Sequence, residues 1–462
     1  MKPAAGRANL RPFFYVWGVS AAGFGYSFLF ALAKDFRLVY SLNMYLTYAV
    51  YALCIALLIW GGKFAGAQSG QFHEDSTSLA VMKSLRGFAA VGVILHHISQ
   101  EDAFQWAGGQ GKPGELALFV NAGYLFVAIF FFCSGYGLIK SLETKPDYLD
   151  GFIKKRVVKT LVIPYYVSVV IYGLFRFLCG ERFPAAQWLT NCLGVTMMNV
   201  YAWYPVIAVI LYLAFYFIFR NIQNRRLCYV LMACIIVLLG IAFCFNGHFA
   251  WWAGEKNWWL TPGGQRQAKW WMEQKVFWLS GEWWVNSCPA LFIGMLVARF
   301  EDRLRAWFAR GYWLKLLLVA VLTVVATLLS GFVQFVFGYW TEFSGNGPGI
   351  QNKLITYFGQ IPQSMMVVFL FFAVMLKYKA ENPVSRFFGS ISLESYMMNL
   401  IAITVFRFLI YQPDVRWGQA PVYWAGHANL ALYFAAVFAV TILLALGYRV
   451  LCNAVRKLLR LN

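Results

Sequence analysis

The chain has 462 residues, of which 61% are hydrophobic and 13% charged, with a mean hydropathy of +0.59. A soluble chain of this size carries about twice that charged share, so composition excludes a soluble globular protein. The formal net charge of +20 would suit a nucleic-acid binder, but the placement of Lys and Arg accounts for it without one, as shown below. The nine cysteines show no metal-ligand spacing, so no metal site is expected.

Twelve apolar stretches are each long enough to cross a ~30 Å hydrocarbon core with some tilt. They run over 12–33, 40–60, 84–99, 117–139, 161–178, 203–219, 228–245, 282–298, 313–338, 360–376, 391–411 and 428–448. The fold class is therefore all-α, a polytopic membrane helix bundle. Residues 1–79 hold two spans and the polar linker Gly61–Ser78 and read as an added module; residues 80–462 hold the other ten spans. The stretch 188–200 is too short to span and reads as re-entrant or interfacial. With the N-terminus in the cytoplasm, 26 of the 39 Lys and Arg fall in cytoplasmic segments and ten in outer loops; three lie within or at the ends of spans. That asymmetry fits the positive-inside rule and puts both termini inside.

The third span opens a stretch unlike the others, Lys83–Gln100, K-S-L-R-G-F-A-A-V-G-V-I-L-H-H-I-S-Q. Ionisable groups at membrane depth are costly and point to function. The eleven residues from Arg86 to His97 advance about 1100°, within ~20° of one face, and rise roughly 16 Å. His96 lies ~80° off that face. A cation at the cytoplasmic mouth can hold an anionic group, and an imidazole deeper in can act as a base near neutral pH. A snorkelling arginine and a histidine bonded to a neighbouring helix would give the same spacing.

The next helix ends in Phe130–Gly137, F-F-F-C-S-G-Y-G, where Ser134, Gly135 and Gly137 permit close backbone approach or small-residue packing. Phe152–Pro164, F-I-K-K-R-V-V-K-T-L-V-I-P, follows at the cytoplasmic surface. On α-helical spacing Arg156 and Lys159 share a face, and Lys155 can join them. The segment suits a nucleotide-like phosphate or anionic headgroups alike. The outer loop 246–281 is rich in tryptophan, with Trp258 and Trp259 inside it and Glu282, Trp283 and Trp284 following. Indoles stack on sugars, and they also anchor membrane interfaces. Ser392–Asn399, S-L-E-S-Y-M-M-N, places Glu394 and Asn399 in an apolar helix. Glu101 and Glu282 are outer-side candidates for a partner of His97.

Taken in order, L-R-G-F-A-A-V-G-V-I-L-H-H, F-F-F-C-S-G-Y, F-I-K-K-R-V-V-K-T-L-V-I-P-Y-Y, W-Y-P-V-I-A-V-I-L-Y and S-L-E-S-Y-M-M-N resemble the acyltransferase-3 family of integral-membrane acyltransferases. The resemblance covers about residues 80–450. It implies a bacterial inner-membrane enzyme that O-acylates a surface glycan or lipid-linked sugar. It also implies a cytoplasmic acyl-CoA donor, most often acetyl-CoA, and no permanently bound cofactor. By the same resemblance Arg86 and His97 are the catalytic pair, with His97 favoured over His96. Arg86, Ser134, Lys155, Arg156 and Lys159 are expected to hold the donor. Trp258, Trp259, Glu282, Trp283 and Trp284 are expected to meet the acceptor. The chain departs from the family at Asn399, where many members carry histidine, in its two additional N-terminal spans, and in the lack of a hydrolase-like domain after the last span. A transporter or exporter of a polysaccharide or lipid-linked precursor also fits twelve spans with both ends inside; a membrane sensor or scaffold would leave His97 dispensable.

Overall fold

The computed structural model describes residues 42–103, 117–178, 183, 185–194, 197–199, 201–244, 284–337, 350–406 and 430–461. The chain enters through α1 (Leu42–Ile59), strand β1 (Gly62–Phe64), α2 (Leu79–Ala103) and α3 (Ala117–Thr144). A π-helix, Ile153–Val162, runs directly into α4 (Ile163–Leu178), followed by the short α5 (Ala185–Cys192), α6 (Trp203–Asn221) and α7 (Arg225–Cys244). After a single turn at Trp284–Ser287 come α8 (Pro289–Ala309), α9 (Tyr312–Phe337), α10 (Ile350–Lys377) and strand β2 (Tyr378–Ala380). The chain then passes through α11 (Pro383–Ser390), α12 (Ser392–Phe406) and α13 (Leu430–Leu458). Among the described residues eight helices are long and apolar enough to cross a membrane, and α11 with α12, bent by 82°, form a broken span or a re-entrant loop. This is the all-α polytopic bundle expected. The first expected span, 12–33, lies outside the described residues, and 188–200 contributes only the end of α5 and a turn.

Polarity decides which helix sits where. In lipid, a helix with ionisable groups must turn them inward, whereas a uniformly apolar one can face hydrocarbon. The spans of α2 and α3 are 72% buried, against 22% for α7 and 28% for α13. The helix carrying Arg86 and the histidines is thus at the centre, packed by α3, α11 and α12. Glycine allows the closest of these crossings. A Cβ on Gly87 would lie 1.7 Å from the Ser385 carbonyl oxygen of α11, and one on Gly389 would lie 1.9 Å from that of Lys83.

The polar linker is bound to the bundle rather than loose. β1 pairs antiparallel with β2, Lys63 opposite Lys379. The Lys377 ammonium donates to the carbonyls of Gly66 (2.7 Å), Gln68 (2.5 Å) and Gln71 (3.1 Å) and sits 5.0 Å from the Tyr312 ring. Arg305 donates to the carbonyls of His73 (3.0 Å) and Glu74 (3.3 Å) and to Ser76 Oγ (2.7 Å). Glu301, just past a kink at Phe300, accepts from Thr77 (2.6 Å), Tyr136 (2.7 Å) and Arg305 (3.2 Å) and pairs with Lys140 (2.8 Å). Burial pushes this carboxyl's pKa up, but the hydrogen bonds from Lys140, Thr77, Tyr136 and Arg305 outweigh it and hold the pKa at about 2.

Candidate active site

His97 is buried, and three elements converge on it. From α12, Asn399 Oδ1 lies 3.1 Å from His97 Nδ1. An amide oxygen only accepts, so with the amide in this orientation the proton sits on Nδ1 and Nε2 keeps its lone pair. That is the arrangement a general base or nucleophile needs. From the segment before α6, the Tyr201 ring lies flat on the imidazole, centroids 3.6 Å apart at 7°. Asn199 sets that ring in place: its Oδ1 accepts from the Tyr201 N–H and its Nδ2 donates to the Met397 carbonyl of α12, both at 3.0 Å. On α2 itself, His96 turns away and bonds the Phe119 carbonyl at 2.9 Å through Nδ1. His97's hydrogen bond therefore goes to a neutral amide across the bundle, not to a carboxylate. The acidic partners expected from sequence, the side chain of Glu101 and residue Glu282, lie outside the described residues.

Toward the other end of α2, Arg86 is half-buried, and its Nε is enclosed without a hydrogen-bond partner. It lies within electrostatic reach of Cys133 and Tyr204. Ser134 Oγ is 3.4 Å from the Tyr204 hydroxyl, which places this expected donor contact beside Arg86. Gly135 instead serves packing, since a Cβ there would lie 2.0 Å from the Leu291 carbonyl oxygen of α8. The Tyr204 ring is 5.9 Å from that of Tyr396, which in turn is 6.2 Å from His97. The Tyr396 hydroxyl and Asn399 Nδ2 are also buried with no hydrogen-bond partner. Three enclosed polar atoms without partners thus mark a line from Arg86 to His97. Buried polar groups are ordinarily satisfied, and each exception asks for a reason.

The basic segment differs from the α-helical expectation. Its i→i+5 bonding gives about 4.4 residues per turn, so three residues advance only about 245° and four about 330°. Lys155 and Lys159 therefore share a face, and Arg156 is rotated from Lys159 by roughly 115°. Arg156 lies 5.7 Å over the Tyr148 ring, while Lys155 is exposed. Tyr212 of α6 is within electrostatic reach of both Tyr148 and Tyr204, so tyrosines connect the basic segment to Arg86. Glu394 proves structural: its Oε1 accepts from Arg449 Nε at 3.0 Å, tying α12 to α13.

A family model described as an acyltransferase domain matches residues 79–448. The chain belongs to the acyltransferase-3 family. No curated protein and no solved structure matches it. In this membrane acyltransferase Tyr204 and Tyr396 lie between Arg86 and His97. The acceptor residues Trp258, Trp259, Glu282 and Trp283 lie outside the described residues, and of Trp284 only the backbone turn is described. Tyr201, Tyr396 and Asn199 escaped the sequence reading. Tyr201 and Asn199 sit in an irregular segment with no periodicity, and Tyr396 lies in S-L-E-S-Y-M-M-N as an uncharged aromatic in an apolar helix. Asn399 was singled out as polar, but its partner lies 302 residues away along the chain. The bend between α11 and α12, a device that transporters also use at binding sites, here carries Tyr396 and Asn399 to the histidine.

Proposed function

We propose that this acyltransferase moves an acyl group, most simply acetyl, from a cytoplasmic acyl-CoA to a hydroxyl of an extracytoplasmic carbohydrate in the bacterial inner membrane. Both termini then lie in the cytoplasm, as the Lys and Arg distribution indicates. The observation that carries the reading is the row of unpartnered polar atoms, Arg86 Nε, the Tyr396 hydroxyl and Asn399 Nδ2, between a basic surface and a histidine bonded through Nδ1 to Asn399 Oδ1. The phosphates of CoA meet Lys155, Lys159 and Arg156, and Arg86 holds the donor at the mouth of the path. The thioester reaches toward His97 past Ser134 and Tyr204. His97 Nε2 takes the proton of the acceptor hydroxyl while the oxygen attacks the thioester carbonyl. The C–S bond then breaks, and the departing thiolate takes the proton back from the imidazolium. In a two-step variant Nε2 itself attacks the thioester carbonyl and expels the CoA thiolate; the acceptor hydroxyl then attacks the acyl-imidazole, the C–N bond breaks to free the imidazole, and the hydroxyl proton goes to the thiolate.

Titration of acetyl-CoA onto the purified full chain tests the donor half. Binding should weaken steeply with added salt, since phosphate contacts are screened. Arg86→Gln and Lys155→Gln/Lys159→Gln should each raise Kd about tenfold, roughly one charge-assisted hydrogen bond. Salt-independent binding, or unchanged Kd in both variants, would refute the reading.

A further inference from the structure

A second polar feature is not used by the donor path. Lys353, Thr356, Gln360 and Gln363 of α10 fall within about 80° of one another around the helix and span about 15 Å of its length. All four are buried, at 2%, 0%, 1% and 4% exposure. A polar stripe inside a membrane helix is costly and points to a pathway or a binding site. It meets other polar groups at Gln360 and Gln363. Asn286, in the turn before α8 and fully buried, donates from Nδ2 to Gln360 Oε1 at 3.5 Å, while its own Oδ1 has no partner. The Tyr124 hydroxyl donates to Gln363 Oε1, and Gln363 Nε2 reaches Thr327 Oγ1 at 3.4 Å. The stripe also has a direction. The Lys377 end of α10 binds the linker that leads into α2, so the Lys353 end lies toward the His97 end of α2. Its inner member, Tyr124, is next to Gly123, where a Cβ would fall 2.2 Å from His96 Nδ1. The polar row therefore lies between the end of the bundle opposite the linker and α3, the helix that packs against the histidine pair.

We infer that this row, Lys353 to Gln363 with Asn286 and Tyr124, is the acceptor site and admits a hydroxyl-rich sugar unit to His97 from the side opposite the donor. The inference rests on the acyltransferase reading above. Its chemistry matches a sugar: each sugar hydroxyl both donates and accepts, and so do the amides of Asn286, Gln360 and Gln363 and the hydroxyls of Thr356 and Tyr124. The unpartnered Asn286 Oδ1 is an acceptor left for such a hydroxyl. Donor and acceptor then approach one imidazole from opposite ends without crossing.

The test expresses the full-length protein and its variants in a bacterial host and measures the acetate released by mild base from the envelope carbohydrate. Wild type should raise it. Asn286→Leu and Gln363→Leu should each lower that gain at least tenfold, while the purified variants bind acetyl-CoA within twofold of wild type. The double variant Asn286→Leu/Gln360→Met separates a binding site from interhelical glue. Glue replaced on both sides by apolar groups costs little, whereas a sugar site loses its transfer. Acetate in either the polymeric or the lipid-extractable fraction supports the site and tells a finished glycan from a lipid-linked sugar. A gain that survives in all three variants overturns the inference alone, as does loss of acetyl-CoA binding in parallel with the acetate. No gain with wild type overturns the acyltransferase reading on carbohydrate and this inference with it.

Discussion

Asn399→Leu removes the side-chain hydrogen bond that His97 makes across the bundle, the 3.1 Å contact from Nδ1 to Oδ1. Leucine is near the amide in size, so the perturbation is the loss of an acceptor rather than of volume. In the buried pocket the Nδ1–H is then left without a partner, which costs about 1–3 kcal/mol. The imidazole regains it by flipping or by moving its proton to Nε2, and either change withdraws the lone pair from the reacting hydroxyl. Each 1.4 kcal/mol is about tenfold in rate, so kcat should fall roughly 5- to 150-fold. On the proposed path acyl-CoA is held from the Arg86 end of α2, about 16 Å away, so KM for the donor should stay within about twofold. The assay is CoA release followed by a thiol reagent, with the protein in detergent or nanodiscs. Tyr201→Phe is the control: it keeps the ring stacked on His97 at 3.6 Å and should keep most of kcat. An Asn399→Leu enzyme with wild-type kcat, or one whose loss is all in KM, would refute the assignment of tautomer and role.

Two further outcomes concern stability. Glu301 has its pKa lowered from 4.5 to about 2 by the groups around it, so its contribution to folding is complete above about pH 4.5 and is lost as pH falls toward 2. Thermal unfolding followed from pH 6 to pH 3 should show this acid loss in wild type and a much weaker one in Glu301→Gln, which should itself be less stable by about 3 kcal/mol at pH 7. A variant with wild-type acid sensitivity would contradict the hub role. Gly87→Ala forces a Cβ into the space 1.7 Å from the Ser385 carbonyl oxygen, so α2 and α11 must separate. It should cost about 1–3 kcal/mol in stability and lower kcat as well, because α11 leads into the helix that carries Asn399. Unchanged unfolding and turnover would show the crossing to be loose.

Much of the site was legible because it is written on single helices. The Arg86–His97 spacing follows from helical periodicity, and the cost of charge in lipid explains why α2 is central. The family's ordered motifs raised that pair above its structural alternatives. Other parts were hidden for physical reasons. A π-helix and an α-helix share the same residue preferences, so Lys155, Arg156 and Lys159 gave no sign of their altered phase. The 82° bend at Ile391 has no proline at the break to announce it. Gly61–Ser78 reads as a linker by composition, yet part-buried carbonyl-to-lysine bonds, which composition does not register, hold it to α10. Tyr201 meets His97 through an irregular segment whose position is set by Asn199.

The central claim is that His97 carries the chemistry and Arg86 the donor. Single-turnover acyl transfer by purified His97→Ala, measured with saturating acetyl-CoA, tests it most directly. The account predicts that transfer falls by about 100-fold or more, the usual worth of a positioned acid–base group, while acetyl-CoA still binds with wild-type affinity. Full transfer by His97→Ala would contradict it.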